Sequence, residues 1–313
     1  MLEFRALETF YWVIRLGSFG NAARKLNTTQ PAISQRIAAI EEALGGKVVV
    51  RGARQVTATP LGRELLVYAE KLLGLRAEMM TRLSGTAPVQ GVLRLGVAET
   101  LVHTWLPTFI KAVNEAYPKL ALEIEVDISP SLRTRLLAQE IELAFLLGPL
   151  TASTVRNLSL GHYRLAFLAS PSLKLTPRSG LSDLAAHPIF TFSRNTQPYE
   201  TVRELFRSSD VPPISVNASA SLATVVRLAT DGLGTALIPP DIVRDEIEAG
   251  RLKEVARDVP LPDLKFSASW LDTPDTSAIQ LVAALAARMA AEHQAALQKG
   301  SRGRRTPAPR AKA

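Results

Sequence analysis

Ser18 to Gly45 reads SFGNAARKLNTTQPAISQRIAAIEEALG, and these residues decide how the N-terminal part of the chain folds. Ser18 is placed to cap a short helix, Phe19 to Leu26, in which Ala22, Ala23 and Leu26 allow close packing against a neighbour. Asn27-Thr28 makes a turn. Thr29 then offers an N-cap to a longer helix with Pro31 in its first turn, where the missing N–H leaves no helical bond unmade. On that helix Ile33, Ile37, Ile40 and Leu44 recur at spacings of 4, 3 and 4, so they share one face and point to a core. Two capped helices separated by a tight turn make a helix-turn-helix.

Upstream, Leu2, Leu7, Phe10, Tyr11 and Ile14 fall on one face of a first helix that ends at Gly17, a residue suited to a left-handed C-terminal position. Downstream of Gly45-Gly46, the runs Lys47 to Arg51 and Gly52 to Thr57 are β-rich with a turn between them, which reads as a wing. The expectation for residues 1–60 is an all-α winged helix-turn-helix. The outer face of the third helix carries Pro31, Gln35, Ala38 and Glu42, flanked by Gln30 and Ser34, and its N-terminal half has no acid to repel phosphate. Gln pairs bidentately with adenine and Ser with several base edges, so Gln30, Ser34 and Gln35 are the candidates for the major groove, with Thr29 and Pro31 beside them. Arg51 and Arg54 lie where a wing approaches the DNA backbone. The same face would also serve as the plain solvated side of a small helical bundle.

Charge separates the chain into regions. Residues 1–90 carry 12 Lys/Arg against 7 Asp/Glu, residues 91–297 carry 19 against 22, and residues 298–313 carry 6 against none. The asymmetry suggests a polyanion partner for the N-terminal region, here double-stranded DNA, and a different task for the acidic middle; on charge alone a solvated surface with no partner reads equally well. The chain has no cysteine, which removes disulfides, thiolate metal sites and a catalytic thiol. His103, His162, His187 and His293 lie in no metal-ligand spacing, so neither metal nor cofactor is expected. Glu3, Arg5, Glu8 and Arg15 interrupt the opening segment where a signal peptide needs an apolar core. No apolar run approaches the roughly 20 residues of a membrane span, so a cytoplasmic location without membrane contact is expected.

From Leu61, the residues Leu65, Tyr68, Leu72, Leu75 and Met79 continue at 4, 3, 4, 3 and 4. That period calls for a partner helix. An ordinary amphipathic helix packed on its own domain is the other reading, weaker because the segment leads out of one domain and into another. Residues 61–90 are read as a linker and dimerisation helix closed by the hinge Ser84-Gly85-Thr86-Ala87-Pro88. From Val92 the pattern becomes strand-helix alternation. Val92–Val97, Leu122–Ile128 and Glu142–Leu147 read as strands around helices Leu101–Tyr117 and Leu132–Gln139. A second set has strands Arg164–Ala169, Ile189–Phe192, Ile214–Ala218 and Thr235–Ile238 around helices Tyr199–Ser208 and Ser221–Asp231. Strand Phe266–Trp270 and helix Ala278–Gln298 return to the first set. The expectation is an α/β sensor over 91–297, with one lobe of 91–161 and 267–297 and another of 162–266, followed by a basic disordered tail, 298–313.

Ligands of such sheets bind beyond the carboxyl ends of the strands. By that rule Glu99, Thr100, Ser129, Ser131, Gly148, Ser193, Arg194, Asn195, Ser219 and Ser221 are the candidate cleft residues. Helix N-termini aimed into one cleft suit an anion, with Arg194 as a bidentate partner, so a small carboxylate is the expected effector. Each Ser or Thr also reads as a plain N-cap. Glu99 would either pair with Arg194 or favour a ligand carrying an amine or hydroxyl.

Ala22-Ala23, Leu26, Gln30-Pro31-Ala32-Ile33-Ser34, Ile37, Ile40-Glu41, Leu44-Gly45, Arg51, Thr59 and Gly62 stand in the order and spacing of the LysR-type transcriptional regulator signature, which the chain therefore resembles. It departs at Val48-Val49, where Leu-Phe is usual, and at Asn21, where a small residue, Ser or Thr is usual. Pro107, Glu140-Ile141-Glu142-Leu143-Ala144 and Gly232-Leu233-Gly234-Thr235-Ala236-Leu237-Ile238-Pro239 resemble the type 2 periplasmic-binding-protein-like sensor of the same family, with Glu142 in place of Asp. The resemblance implies a homodimer through the linker helix that assembles into a homotetramer. It also implies an effector cleft at Thr100, Ser129, Ser193 to Asn195 and Ser219 to Ser221. RNA polymerase is a further candidate partner. The rival readings are a solute-binding protein and an enzyme of the same two-lobed fold. Gly232-x-Gly234 follows a helix and precedes a strand, the reverse of a dinucleotide fingerprint, and no GxSxG, P-loop or paired His/carboxylate cluster appears.

Overall fold

The computed structural model describes residues 3–52, 55–83, 89–152, 154–207, 211–273 and 276–303. The chain divides into two compact units, Met1–Val89 with Asp272–Gln280, and Gln90–Leu271 with Leu281–Ala313.

In the first unit, helices α1 (Phe4–Leu16), α2 (Phe19–Lys25) and α3 (Gln30–Leu44) precede the antiparallel pair β1 (Val49–Arg51) and β2 (Val56–Ala58), and α4 (Pro60–Leu83) closes it. The caps are the expected ones. Gly17 takes a left-handed φ of 61° after α1, and the Ser18 and Thr29 hydroxyls accept the backbone N–H groups of Asn21 and Ala32. Ile33, Ile37 and Ile40 are buried with Leu7, Phe10, Val13 and Ala22 in one core. Thr59 ties the wing to α4: its hydroxyl donates to Lys47 O at 2.6 Å and accepts from Gly62 N at 2.9 Å. A Cβ at Gly62 would lie 2.0 Å from Val48 O, so only glycine lets α4 start this close to the wing.

The linker helix does not carry one continuous seam. Leu65, Ala69 and Leu73 are buried in the core of their own unit, with Leu61 partly buried beside them. Tyr68, Leu72, Leu75 and Met79 are exposed, together with Val67. The first two members of the expected seam thus serve the local core, and the others form a separate face. The hinge at residues 84–88 lies outside the described residues.

The second unit contains, in chain order, β3 (Gln90–Val97), α5 (Glu99–Val102), α6 (Leu106–Ala116), β4 (Lys119–Val126), α7 (Ser129–Leu137), β5 (Leu143–Leu147) and β6 (Val155–Arg164). Then follow β7 (Ala166–Ala169), α8 (Leu181–Ala185), β8 (Ile189–Phe192), α9 (Gln197–Arg207), β9 (Val216–Ser219), α10 (Leu222–Thr230) and β10 (Thr235–Ile238). Last come α11 (Arg244–Glu248), β11 (Lys253–Val255), β12 (Asp263–Leu271) and α12 (Ser277–Gly303). The sheets have the orders β4-β3-β5-β12-β6 and β11-β7-β10-β8-β9. In each, the strands feeding helices run parallel; β12 and β7 run antiparallel to them, and the edge strands β6 and β11 pair antiparallel with β12 and β7. Trp105, Phe109 and Phe145 pack with ring centroids 5.3 to 5.8 Å apart and anchor α6 on the first sheet.

Several boundaries differ from the sequence reading. Residues 162–164 and 263–265, expected in the second lobe, pair with one another in the first sheet, so the lobes meet at the short links between β6 and β7 and between β11 and β12. The first sheet has an edge strand, β6, that the sequence pattern does not reveal over Val155–Gly161, because its exposed side chains break the apolar pattern. β11 is likewise an addition to the expected strands. The helix expected over Leu101–Tyr117 is two, because Pro107 has no N–H to continue a helix across His103 to Trp105. Helix α12 runs on to Gly303, through residues expected to start a disordered tail, and residues 304–313 lie outside the described residues. Gly234 has a packing role, since a Cβ there would lie 2.2 Å from Pro188 O.

Candidate nucleic-acid interface and effector cavity

The outer face of α3 carries the residues expected to read DNA. Thr29, Gln30, Pro31 and Gln35 are exposed and Ser34 is half-buried, while the Ile33/Ile37/Ile40 face holds the helix on its core. Arg51 is exposed at the end of β1, with its guanidinium 4.5 Å over the ring of Phe19, the first residue of α2. That stacking fixes the direction of a long side chain, and nothing in the sequence pattern marks Phe19 as its platform. Arg54 lies outside the described residues.

The root of the wing is held by Glu41. Burial alone would push its carboxyl up, but a 2.7 Å hydrogen bond from Lys47, one of 3.1 Å from Val48 N, the Lys47 charge and a further backbone bond from Val49 outweigh it. The carboxyl sits below its ordinary range and stays ionised. The two departures from the signature are absorbed here. Val48 and Val49 are buried in the core, and the Asn21 Oδ1 accepts from Arg24 at 2.6 Å.

In the second unit a cavity of about 120 Å³ opens between the two sheets. Glu99, Thr100, Ser129, Ser193 and Ser219 line it as expected. Arg194 is exposed and does not, and Asn195 instead lines an adjoining groove with Arg133 and Gln197. Ser221 is a helix N-cap, its hydroxyl accepting from Thr224 N at 3.3 Å, and is not part of the wall. Ser131 and Gly148 are also off the wall. The wall includes residues that strand-end reasoning misses: Asp127, Thr196, and the apolar Phe192, Leu264 and Phe266. Asp127 falls inside an expected strand, but β4 ends at Val126. Leu264 and Phe266 come from β12, which is antiparallel, so its N-terminal half lies beside the carboxyl end of β5.

Hydrogen bonds fix most of the polar wall. Ser129 Oγ accepts from Leu147 N at 2.9 Å, Thr196 Oγ1 donates to Ser193 O at 2.6 Å, and Ser219 Oγ accepts from Ser221 N at 3.1 Å. Asp127 accepts from Ile128 N at 2.7 Å and from the Ser131 hydroxyl. Glu99 Oε1 accepts from Leu222 N at 2.8 Å, with His103 Nε2 3.6 Å from the same oxygen. Among the described residues the wall holds two carboxylates and no Lys or Arg.

Residues 4–63 match the family model described as bacterial regulatory helix-turn-helix protein, lysR family, and residues 86–291 match the LysR substrate binding domain. The chain belongs to the LysR family. This LysR-family chain is 26% identical over 302 residues to the HTH-type transcriptional regulator BbuR of Bordetella bronchiseptica, covering 96% of this chain and 92% of that one. It is 28% identical to YofA of Bacillus subtilis over 77% of this chain and 83% of the relative. Among solved structures, full-length LysG from Corynebacterium glutamicum with bound effector Arg superposes with a TM-score of 0.62 at 22% identity, covering 93% of this chain and 98% of that one. The fold expected from the sequence is the one shared with these proteins. The LysR-family chain is a DNA-binding transcriptional regulator with an effector-binding domain, and not an enzyme. Among its described residues no helix is long and apolar enough to cross a membrane.

Proposed function

We propose that this regulator reads an operator with Gln30, Ser34 and Gln35 of α3 in the major groove, that Thr29 and Pro31 set the approach of that helix, and that Arg51 and Arg54 bind the phosphate backbone from the wing. The observation that carries this is the outer face of α3, where uncharged donors and acceptors stand exposed on a helix locked by Thr29 and three buried isoleucines. Tyr68, Leu72, Leu75 and Met79 form the face on which two copies join as a homodimer, since an exposed apolar strip at this spacing on one helix favours a matching helix. Dimers pair further into a homotetramer, RNA polymerase is contacted from the DNA-bound assembly, and the protein works in the cytoplasm. The basic residues between Lys299 and Ala313 add sequence-independent affinity.

The effector is a small molecule held in the inter-lobe cavity by Glu99, Thr100, Ser129, Ser193 and Ser219. LysG, solved with Arg bound, supports reading the two-lobed unit as a receptor for a molecule of that kind. The case for an organic-acid effector rests on Arg194, which does not reach the wall, and on helix N-termini, of which that of α10 already carries Glu99. The test is a footprint of the full-length protein on the DNA upstream of its own gene. Protection of an interrupted palindrome, with half-sites a whole number of helical turns apart, is expected. Equal affinity for that DNA and for random duplex would overturn the reading.

A further inference from the structure

Glu99 leaves the end of β3 in the first lobe, and its carboxylate reaches the first backbone N–H of α10 in the second, Leu222, at 2.8 Å. The two residues are 123 positions apart in sequence, so this contact exists only because the lobes face each other. The N-terminus of a helix is where a bound anion would otherwise gain most, from unpaired N–H groups and the helix dipole. Here a carboxylate of the protein already holds that position. The Ser221 hydroxyl takes Thr224 N and its carbonyl takes Val225 N, which leaves the Ala223 N–H as the donor of the first turn, beside a group that repels a second anion.

The rest of the wall points the same way. Its other charged side chain is Asp127, whose two oxygens are already held by Ile128 N and Ser131 Oγ. Phe192, Leu264 and Phe266 supply apolar surface. An ionised carboxylate offers about four lone-pair positions, and the contacts to Leu222 and His103 fall on one oxygen of Glu99, so the other keeps acceptor capacity for a ligand. Resting on the reading of this cavity as the effector site, we infer that Glu99 is its specificity-determining residue. It ties the lobes through Leu222, selects compact effectors that carry a cationic or hydrogen-bond-donating group on an apolar body, and excludes simple carboxylates.

The test uses the full-length protein and three planar probes of nearly equal shape: benzamidinium, benzamide and benzoate. Calorimetry is expected to rank them in that order for the wild type, and Glu99→Gln should shift the ratio of benzamidinium to benzoate affinity by about tenfold or more towards benzoate. Benzoate binding the wild type as tightly as benzamidinium, an unchanged ratio in Glu99→Gln, or no binding of any probe at millimolar concentration would each overturn the inference. Hydrogen exchange of the peptide spanning 219–226 gives a second readout that needs no ligand. Glu99→Ala should speed exchange at Leu222, and unchanged exchange removes the tie between lobes. Exchange measured with each probe bound separates the two levels: protection of the wall at 98–100, 127–129, 192–193 and 219–220 together with a preference for benzoate defeats only the assignment to Glu99, whereas probe binding that leaves those segments unprotected defeats the reading of this cavity as the effector site.

Discussion

The proposed reading face of α3 and the candidate effector cavity are built in opposite ways. Gln30, Ser34 and Gln35 lie within two turns of a single helix, and the groups that position them, Thr29, Ile33, Ile37 and Glu41, are on the same helix or one turn away. The cavity takes its wall from the ends of β3, β4, β5, β8, β9 and β12, and its inter-lobe contact joins Glu99 to Leu222. A local site of the first kind survives changes elsewhere in the molecule, whereas an assembled one depends on how each lobe packs.

The largest effect that would sharpen this contrast is expected from Phe109→Ala. Removing a fully buried ring from the Trp105/Phe109/Phe145 cluster should cost about 3–5 kcal/mol of sensor stability. Probe binding in the cavity should fall with it. Denaturant unfolding followed by tryptophan fluorescence measures the loss, and a cost under about 1 kcal/mol would show that the lobe tolerates a cavity there.

Leu72 and its neighbour Leu73 compare the two faces of α4 directly. Leu72 is 43% exposed and Leu73 5%. Leu72→Asp is expected to leave the first unit folded while weakening dimerisation by about a hundredfold or more, because a charge in an apolar helix contact is left without a partner. Sedimentation equilibrium reads this, and an undiminished dimer would move the interface elsewhere. Leu73→Asp should instead unfold the unit itself.

Gln30→Ala should reduce binding to the operator by about 1–3 kcal/mol and leave random duplex almost unaffected. Arg51→Ala is expected to weaken both alike and to flatten the salt dependence by about 0.9 in the log-log slope for each phosphate that the side chain neutralises in the wild type. Gel shifts over a salt series distinguish the two, and equal losses on both duplexes for Gln30→Ala would take that residue out of base reading.

The smallest effect is in acid. His293 on α12 is half-buried with its Nε2 unbonded among the described residues; burial holds its pKa down, helped by the Arg244 charge and opposed by Asp241. A depressed folded-state pKa contributes stability that is present above the ordinary imidazole value of about 6.5 and is lost as pH falls through the lowered one. Glu41 has the same sign in a lower window: its contribution is present above the ordinary carboxyl value of about 4.3 and is lost below it. Acid should therefore loosen the sensor before the reader, and His293→Gln should remove the earlier phase. Melting temperatures taken from pH 7 down to pH 4 check the order, and simultaneous loss in both units would break the contrast.

Much of the reader is legible in the sequence because its information is local. Ser18, Thr29, Gly17 and the 4, 3, 4 spacing of the isoleucines each act over a few residues, and all take the predicted roles. The sensor's central strands are legible for the same reason: β10 is a buried, mostly apolar run, and β8 is a short, mostly apolar run that alternates buried and half-buried residues. The edge strand β6 is not, since one side of it is wet and its side chains follow no alternation.

The amino-acid order by itself determined the capped helices, the wing, the alternation of strand and helix, and so the family and its class of function. Only the tertiary structure decided which polar residues share the cavity, that Arg194 stays outside it, that Asp127 and Phe266 enter it, and that Glu99 closes on Leu222. The physical reason is range. Caps and helix faces are set by neighbours within about four residues, whereas a cavity wall is set by the register of strands and the turn of one lobe towards another, which no stretch of sequence contains.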